Sequence, residues 1–238
     1  MKRNLFSLLM VALFVLTSLS AAQAKIGLSV SNKVMGGYIT GVGKMVYPEP
    51  VHQLDLVLNM SHGFYAEGWM SNALNGRPNS GREIDWTIGW SNKFMSAGIC
   101  YIDLNRLFDG NSTDLIEPFV ELTAPAIGGL VSPYVKGEHF HATRNSDQLS
   151  ATSLSAGLKI KFQPVKSPFC FQQNIRVVHN DGLFGCDEGY LVRYEMWLNI
   201  SIPNGSINLL QLRVFNPLSK MSDRKTQTAV GSGITFNF

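Results

Sequence analysis

The residues best suited to metal binding or acid–base chemistry are His139 and His141. Their i, i+2 spacing puts both imidazoles on one face of a β-strand, where two histidines could bind a metal ion or take part in hydrolysis. The sequence contains no G-x-S-x-G nucleophile motif to accompany them. Strand parity also places them on the side opposite Lys136 and Glu138, the side expected to face lipid. We therefore predict an interfacial histidine pair, with no enzymatic activity, no metal site and no cofactor.

The charged residues form a second candidate site, because they alternate with apolar residues as in the strands of a membrane barrel. Acids cluster in the second to sixth predicted strands, at Asp55, Glu67, Glu83, Asp85, Glu117 and Glu121. Bases dominate from the seventh to the eleventh, at Lys136, Lys159, Lys161, Arg176, Arg193 and Arg213, with the acids Glu138 and Glu195 among them. If these segments close into a barrel, the two halves face each other across the lumen. The resulting transverse field would orient small dipolar solutes in a narrow aqueous pore.

Three functions fit these residues, and the sequence leaves them open. The favoured one is a narrow porin-like channel for the passive diffusion of small polar or charged solutes. In the first alternative, the same charges pair with one another and fill the lumen of a structural or surface-interaction barrel. A barrel of about eight strands is filled by side chains and one of about sixteen holds a wide channel, so an intermediate size permits either. A hydrolase at the rim of the barrel is the least favoured.

The elements that must position these side chains are β-strands. Alternation is clearest from Tyr190 to Ile200, where Arg193, Glu195, Trp197 and Asn199 share the inward face. About ten residues is the length that a tilted strand needs to cross a bilayer. We place strands near residues 33 to 45, 51 to 60, 63 to 71, 82 to 91, 94 to 104, 114 to 123, 130 to 141, 150 to 162, 170 to 180, 190 to 201, 206 to 215 and 227 to 238. The prediction is an all-β chain that forms a closed antiparallel transmembrane β-barrel of about twelve strands, with ten to fourteen as the range.

The connections between these strands alternate in length. Ser61-His62, Asn92-Lys93 and Pro203-Asn204-Gly205 are tight, whereas Asn72 to Gly81 and Asn216 to Thr226 are long and polar. Outer-membrane barrels have short periplasmic turns and longer outer loops. An even strand count puts both chain ends on the short-turn side, so we expect the N and C termini to be periplasmic.

The first residues are typical of a secretory signal peptide. Lys2 and Arg3 precede an apolar stretch from Leu8 to Leu16, and Ala22-Gln23-Ala24 has the small-x-small form of a signal peptidase site. The apolar stretch is shorter than the roughly 20 residues of a membrane-spanning helix. We expect residues 1–24 to be removed on export and residues 25–238 to form one barrel domain in the outer membrane of a Gram-negative bacterium.

The charge balance and the cysteines argue against other classes of protein. Without Lys2 and Arg3, the 20 bases fall to 18 against 17 acids, which is not the basic excess of a nucleic-acid binder. Cys100, Cys170 and Cys186 have neither the paired spacing of a zinc site nor the even number of a disulfide framework. Cys186 falls in a predicted loop, and the sequence leaves open whether it forms a disulfide.

The last strand carries a candidate assembly signal. Residues 228–238 alternate apolar with small or polar side chains, and closure requires this strand to pair with the first. The stretch from Gly233 to Phe238, with Phe236 third from the end, resembles the C-terminal signal that the barrel assembly machinery recognises. We expect that machinery, outer-membrane lipid and small solutes as partners. The outward apolar residues leave open whether the protein forms a homo-oligomer.

Several aromatic residues are candidates for the girdles that membrane barrels have at the two lipid–water interfaces. They are Trp69, Trp86, Trp90, Tyr101, Tyr190, Tyr194 and Phe238. Trp90 and Phe238 fall near proposed periplasmic strand ends, and Tyr190 falls near an outer one. The alternative for each is packing inside the sheet.

Part of the chain resembles a known family. The segments SHGFYAEGWMSN (61–72) and EIDWTIGW (83–90) are similar to the first half of the TorF-type porins of proteobacteria. The likeness extends from residue 31 to residue 104, and the chain has Gly36 where the family tends to have an arginine. The resemblance implies an outer-membrane barrel of about this size, with a porin-like role and no established substrate. It implies no catalytic residues.

Overall fold

Twelve antiparallel strands close into a barrel in the computed structural model of the chain, which describes residues 26–75, 82–103, 114–143, 150–182, 188–218 and 225–238. The strands are β1 (Gly27–Met35), β2 (Tyr38–Ile39), β3 (Met45–Tyr47), β4 (Val51–Asn59), β5 (Phe64–Ala73), β6 (Glu83–Ser91), β7 (Met95–Asp103), β8 (Leu115–Thr123), β9 (Val131–Ala142), β10 (Ala151–Phe162), β11 (Phe169–Asn180), β12 (Gly189–Ile202), β13 (Gly205–Pro217) and β14 (Gln227–Asn237). β2 and β3 pair with each other in a separate sheet, and the other twelve form the wall. The predicted closed, all-β barrel is confirmed. The proposed signal peptide (residues 1–24) and Cys186 lie outside the described residues.

The first wall strand lies earlier in the chain than the sequence predicts. A strand over residues 33–45 is wrong, because β1 ends at Met35 and the chain leaves the wall at Gly36 and Gly37. A Cβ atom at Gly37 would lie 3.1 Å from the carbonyl oxygen of Tyr47, so the glycine permits a tight reversal. Residues 36–50, which we call the inner hairpin, turn inward before the chain returns to the wall as β4. The hairpin is as rich in apolar and β-branched residues as a wall strand, and composition therefore did not separate the two.

The barrel closes where β1 pairs with β14 along its length. The predicted pairing of the last strand with the first is confirmed, with the new bounds of β1. The hydroxyl oxygens of Ser31 and Thr235 lie 2.7 Å apart across this seam. A Cβ atom at Gly231 would lie 2.2 Å from Sδ of Met35 and 2.4 Å from the carbonyl oxygen of Val34. A larger residue at this position would therefore push β1 away from β14.

The connections form a short set and a long set at opposite ends of the barrel. The short ones are residues 60–63, 92–94, 124–130, 163–168 and 203–204, and the long ones are residues 36–50, 74–82, 104–114, 143–150, 181–188 and 218–226. β1 begins and β14 ends at the short-connection end, where the backbone N–H of Leu28 donates to the carbonyl oxygen of Phe238 at 3.1 Å. The alternation of lengths agrees with the sequence prediction. The periplasmic location of this end stays a prediction.

The outward face of the wall is apolar. Its aliphatic side chains include Leu28, Leu56, Ile99, Val120, Val135, Leu154 and Val177, which are 39% to 58% exposed. An apolar belt of this extent is unfavourable in water and suits a lipid environment. The closed ring of strands pairs the backbone groups that lipid cannot satisfy. Among the described residues, no helix is long and apolar enough to span a bilayer.

Trp69 corrects the predicted aromatic girdle. Its side chain points into the lumen, on the same face of β5 as Glu67, and its ring centroid lies 5.6 Å from that of Tyr38. The girdle prediction was wrong for this residue. Strand parity determines which face of a strand a tryptophan occupies, and Trp69 has the parity of the inward-facing Glu67. Trp86 and Phe238 do lie on the outside of the barrel, where they are 42% and 75% exposed.

Candidate functional site

The inner hairpin lies inside the barrel, near the long-connection end. Its turn is closed by Thr40 and Lys44, since the Thr40 N–H donates to the Lys44 carbonyl oxygen at 2.9 Å and the Lys44 N–H donates to the Thr40 hydroxyl at 3.0 Å. Tyr38, Ile39 and Val42 are each at most 7% exposed. A connection between two wall strands is thus folded back into the lumen.

An apolar collar surrounds the hairpin. It consists of inward-facing residues near the long-connection end, namely Met35, Val51, Trp69, Ala73, Cys100, Ile102, Leu115, Phe140, Ala151, Val178, Leu191, Phe215 and Ala229. Tyr38 and Ile39 pack with the part of the collar that β11–β14 supply, whereas Val42 packs with the part that β7–β10 supply. The hairpin therefore reaches across the lumen. Burial of each large apolar side chain contributes about 1.5–3 kcal/mol, so the collar holds the hairpin in place.

Two polar contacts join the hairpin to opposite sides of the wall. The hydroxyl of Tyr38 donates to Oε1 of Glu83 on β6 at 2.7 Å. Nη1 of Arg193 on β12 donates to the carbonyl oxygen of Gly41 at 3.4 Å. Burial, reinforced by the negative charge of Glu83, raises the pKa of Tyr38 well above its ordinary value. The Tyr38 hydroxyl therefore stays protonated and remains a donor.

The structure places five of the predicted acids on one side of the lumen, which we call the acid wall. They are Asp55 on β4, Glu67 on β5, Glu83 and Asp85 on β6, and Glu117 on β8. Asp55 and Asp85 each pair in register with the inward-facing Trp69. Glu67 and Glu117 line a lumen cavity of about 290 Å³ together with Tyr65 and Phe119.

The basic wall lies on the other side. It consists of Lys159 and Lys161 on β10, Arg176 on β11, Arg193 and Glu195 on β12, and Arg213 on β13. Glu195, which is 4% exposed, accepts from Nη2 of Arg193 at 2.8 Å and pairs with Nε of Arg213 at 3.1 Å. Toward the short-connection end, Lys159, Lys161 and Trp197 line a second cavity of about 490 Å³.

Some lumen charges neutralise one another. Lys136 forms an ion pair with Glu138 on its own strand, and Lys159 forms one with Glu121 on β8. Nζ of Lys159 also lies 4.7 Å from the centroid of the Tyr134 ring. These contacts agree with the interpretation of a filled barrel. The acid wall and the three arginines of the basic wall take no part in these two ion pairs. They therefore remain regions of opposite charge.

The two walls face each other. In the ring of twelve wall strands, β4 lies six places from β10, β5 lies six places from β11, and β6 lies six places from β12. The carboxylates of the acid wall and the guanidinium groups of the basic wall therefore occupy opposite sides of the lumen. Whether these residues carry solutes stays a prediction.

The sequence reasoning missed two lumen residues, Lys33 and Tyr38. Lys33 lies on β1 opposite Gln53 of β4, and correct bounds for β1 would have placed it by parity. Trp197 lines the lumen on the same face of β12 as Arg193, as the alternation of this segment predicts. Tyr38 lies in the inner hairpin, for which the sequence carries no signal of an inward fold.

The histidine pair lies away from the lumen. His139 and His141 are exposed on the outer face of β9. Their Nδ1 atoms lie 3.1 Å from Oγ1 of Thr152 and 3.0 Å from Oγ of Ser150. Each imidazole thus contacts a hydroxyl of the neighbouring chain segment, and the lack of enzymatic activity stays a prediction.

The residues of the proposed assembly signal divide between the two faces of β14. Gly233 faces the lumen, where a Cβ atom would lie 2.4 Å from the carbonyl oxygen of Asn32. Phe236 and Phe238 face outward, with their ring centroids 6.4 Å apart. Close packing at the seam therefore requires a glycine at position 233, whether or not the assembly machinery recognises this strand. The rings of Phe236 and Phe238 are accessible from outside the barrel. Recognition by the assembly machinery stays a prediction.

Solved structures with this fold include two porins. The NanC porin matches with a TM-score of 0.58 at 9% identity, over 88% of this chain and 98% of that one. The KdgM porin matches with a TM-score of 0.55 at 11% identity, over 89% and 99%. LpxR from Salmonella typhimurium matches with a TM-score of 0.51 at 9% identity, over 87% and 99%.

Sequence comparison adds no closer assignment. No protein-family model and no curated protein matches the chain. These three matches are far below 25% identity and therefore establish the barrel fold alone. The resemblance to the TorF-type porins stays a prediction.

Proposed function

We propose that this protein is an outer-membrane barrel that acts as a narrow channel for the passive diffusion of small polar or charged solutes. The opposition of the acid wall and the basic wall beside two lumen cavities carries this proposal. Unlike charges on facing walls create a transverse field, which favours polar solutes over apolar ones. On this proposal the partners of the protein are these solutes, the surrounding lipid and the barrel assembly machinery.

The inner hairpin is the constriction of the channel. It occupies the lumen within the apolar collar, so a solute passes beside it or displaces it. The contacts of Tyr38 with Glu83 and of Gly41 with Arg193 determine how firmly it is held. The size limit of the channel therefore depends on this hairpin more than on the number of wall strands.

A filled structural or surface-interaction barrel is the second candidate, and the apolar collar favours it. The collar and the hairpin together resemble the core of a soluble domain, in which close packing leaves no path for water. The ion pairs of Lys136 with Glu138 and of Lys159 with Glu121 fill further space. In this candidate the long connections perform the function by binding a partner.

Ion conductance in planar bilayers separates the two candidates. Purified, heat-modifiable protein is compared with a variant in which residues 38–47 are replaced by a Gly-Ser segment of equal length. A matched control replaces residues 163–168 at the short-connection end in the same way. If the protein is a channel, the unmodified protein conducts ions. The hairpin variant should then show larger conductance steps than the unmodified protein, and the control variant should not. Conductance by the hairpin variant only would support the filled barrel, and silence of both would overturn the channel.

A further inference from the structure

The inner hairpin makes opposite kinds of hydrogen bond with the two walls. On the acid wall, Glu83 accepts from the Tyr38 hydroxyl at 2.7 Å. On the basic wall, Arg193 donates to the carbonyl oxygen of Gly41 at 3.4 Å. The strands that carry these two wall residues, β6 and β12, lie on opposite sides of the ring. The hairpin thus presents a donor to the carboxylates and an acceptor to the guanidinium groups.

Each wall also holds two buried polar atoms that no group of the described residues satisfies. On the acid wall these atoms are Oδ1 of Asp55 and Oδ1 of Asp85, and on the basic wall they are Nε of Arg176 and Nε of Arg193. A buried donor or acceptor is unfavourable until it is bonded. The acid wall can therefore accept a further hydrogen bond, and the basic wall can donate one.

Charge on the two walls selects against singly charged solutes. In the described part of the basic wall, Arg193 and Arg213 share one carboxylate, that of Glu195. On the acid wall, Asp55 and Glu67 lie on the neighbouring strands β4 and β5 and both face the lumen. A lone cation is attracted by the acid wall and repelled by the basic wall, and the reverse holds for a lone anion. A molecule with both charges is attracted at both of its ends.

We infer that the lumen at the inner hairpin binds short peptides, zwitterions whose ammonium group and carboxylate lie far enough apart to reach both walls. The ammonium group replaces the Tyr38 hydroxyl at Glu83, and the carboxylate replaces the Gly41 carbonyl at Arg193. Binding therefore releases both polar contacts of the hairpin. The inference rests on the proposed channel, and it names the class of solute for which the constriction opens.

Bond strength and size favour this exchange. Hydrogen bonds that involve ionised groups are about twice as strong as neutral ones, so a carboxylate binds Arg193 more strongly than the Gly41 carbonyl does. The present distance of 3.4 Å between them also exceeds the roughly 2.7–2.9 Å of a charge-assisted bond. Residues 38 and 41 are three positions apart, so their Cα atoms lie at most about 10 Å apart, and the Tyr38 side chain adds to the span between the two wall contacts. A short peptide can reach both contacts at once, whereas the ammonium group and the carboxylate of one free amino acid lie too close together.

Uptake into proteoliposomes at neutral pH tests the inference with three probes of similar size. Trialanine is a zwitterion, its C-terminal amide is a cation and N-acetyl-trialanine is an anion. We expect uptake of trialanine to exceed that of the other two by roughly tenfold, the factor that corresponds to one hydrogen bond with a charged group. Glu83→Gln and Arg193→Gln should each remove this preference. Glu188→Gln, a side chain 73% exposed at the long-connection end, is the matched control and should keep it.

Hydrogen exchange of residues 38–47 in the unmodified protein provides a second measurement, which does not depend on the folding of any variant. Trialanine should accelerate exchange in this segment, and trialanine amide should not. Equal uptake of the three probes, or exchange that trialanine leaves unchanged, would overturn the inference and leave the channel standing. A preference that survives both wall substitutions would overturn it as well. The absence of both uptake and ion conductance would overturn the channel itself.

Discussion

The Tyr38 hydroxyl donates to Oε1 of Glu83 at 2.7 Å, although the two residues lie 45 positions apart in the chain. The contact joins the inner hairpin to β6, which is separated from β1 in the wall by β4 and β5. The ring of Tyr38 is held separately by the apolar collar and by Trp69. Removal of the hydroxyl alone therefore tests the hydrogen bond to Glu83, because the packing of the ring is kept.

Tyr38→Phe should raise the conductance or the open fraction of the channel. A hydrogen bond to a charged group contributes about 1.5–3 kcal/mol. Its loss corresponds to roughly a tenfold change in the equilibrium between the attached and the released hairpin. Single-channel recordings measure this shift. Tyr47→Phe is the matched control, since the Tyr47 hydroxyl donates to the nearby Glu49 at 3.3 Å and accepts from Asn75 in the connection after β5, so it bonds no wall strand. Equal recordings from the two variants would contradict an anchoring role for the Tyr38 hydroxyl.

Gly231→Ala should prevent or slow closure of the barrel. The added Cβ atom would lie 2.2 Å from Sδ of Met35 and 2.4 Å from the carbonyl oxygen of Val34, and the backbone oxygen cannot move without β1. Heat-modifiable mobility on gels measures the folded fraction. Gly137→Ala is the matched control on β9, because its Cβ atom would meet Cδ2 of Leu154 at an ordinary 3.5 Å. Normal folding of both variants would show that β1 and β14 can separate at no cost.

Glu195→Ala should lower the free energy of unfolding by about 3–5 kcal/mol, the usual effect of removing one partner from a buried ion pair. The change leaves Arg193 and Arg213 without the carboxylate that they share. It should also shift the reversal potential of the channel toward anions. Urea unfolding of the lipid-bound protein and bilayer recordings check the two effects, with Glu188→Ala as an exposed control. A stability equal to that of the control would mean that water already solvates both arginines.

Phe238→Ala should slow assembly by the barrel machinery and leave spontaneous folding in detergent unchanged. Phe238 is 75% exposed, so its loss removes little packing, and a change in rate reports recognition. Phe162→Ala is the matched control, since this phenylalanine is 51% exposed at the same end of the barrel. If both variants assemble at the rate of the unmodified protein, Phe238 is not part of the signal.

Strand alternation and the lengths of the connections were enough to predict the wall. Both follow from local rules, since each wall strand presents one face to lipid and each hairpin connects neighbours. The inner hairpin escaped these rules because the predicted first strand ran through Gly36 and Gly37, although a pair of glycines marks a turn. With β1 misplaced, Lys33 was lost from the lumen as well.

The lumen was harder to predict than the outside. Parity sorted Asp55 and Arg193 to the inner face correctly, but the assumption that inner residues are polar hid the apolar collar. Leu191 and Phe215 can be apolar on the inward face because the hairpin covers them. That contact joins segments that are distant in the sequence. The ion pair of Lys159 with Glu121 spans β9 in the same way, and only the three-dimensional register reveals it.

The inner hairpin also bears on how the barrel forms. The seam joins Ser31 to Thr235 across 204 positions, and contacts between such distant residues form late because of the entropy of loop closure. The hairpin follows β1 directly, so it must already lie on the concave side of the sheet when that last pair of strands meets. We expect it to act as a template during assembly, because its apolar residues give the inward faces of β7–β14 a surface on which to curve before the ring is complete.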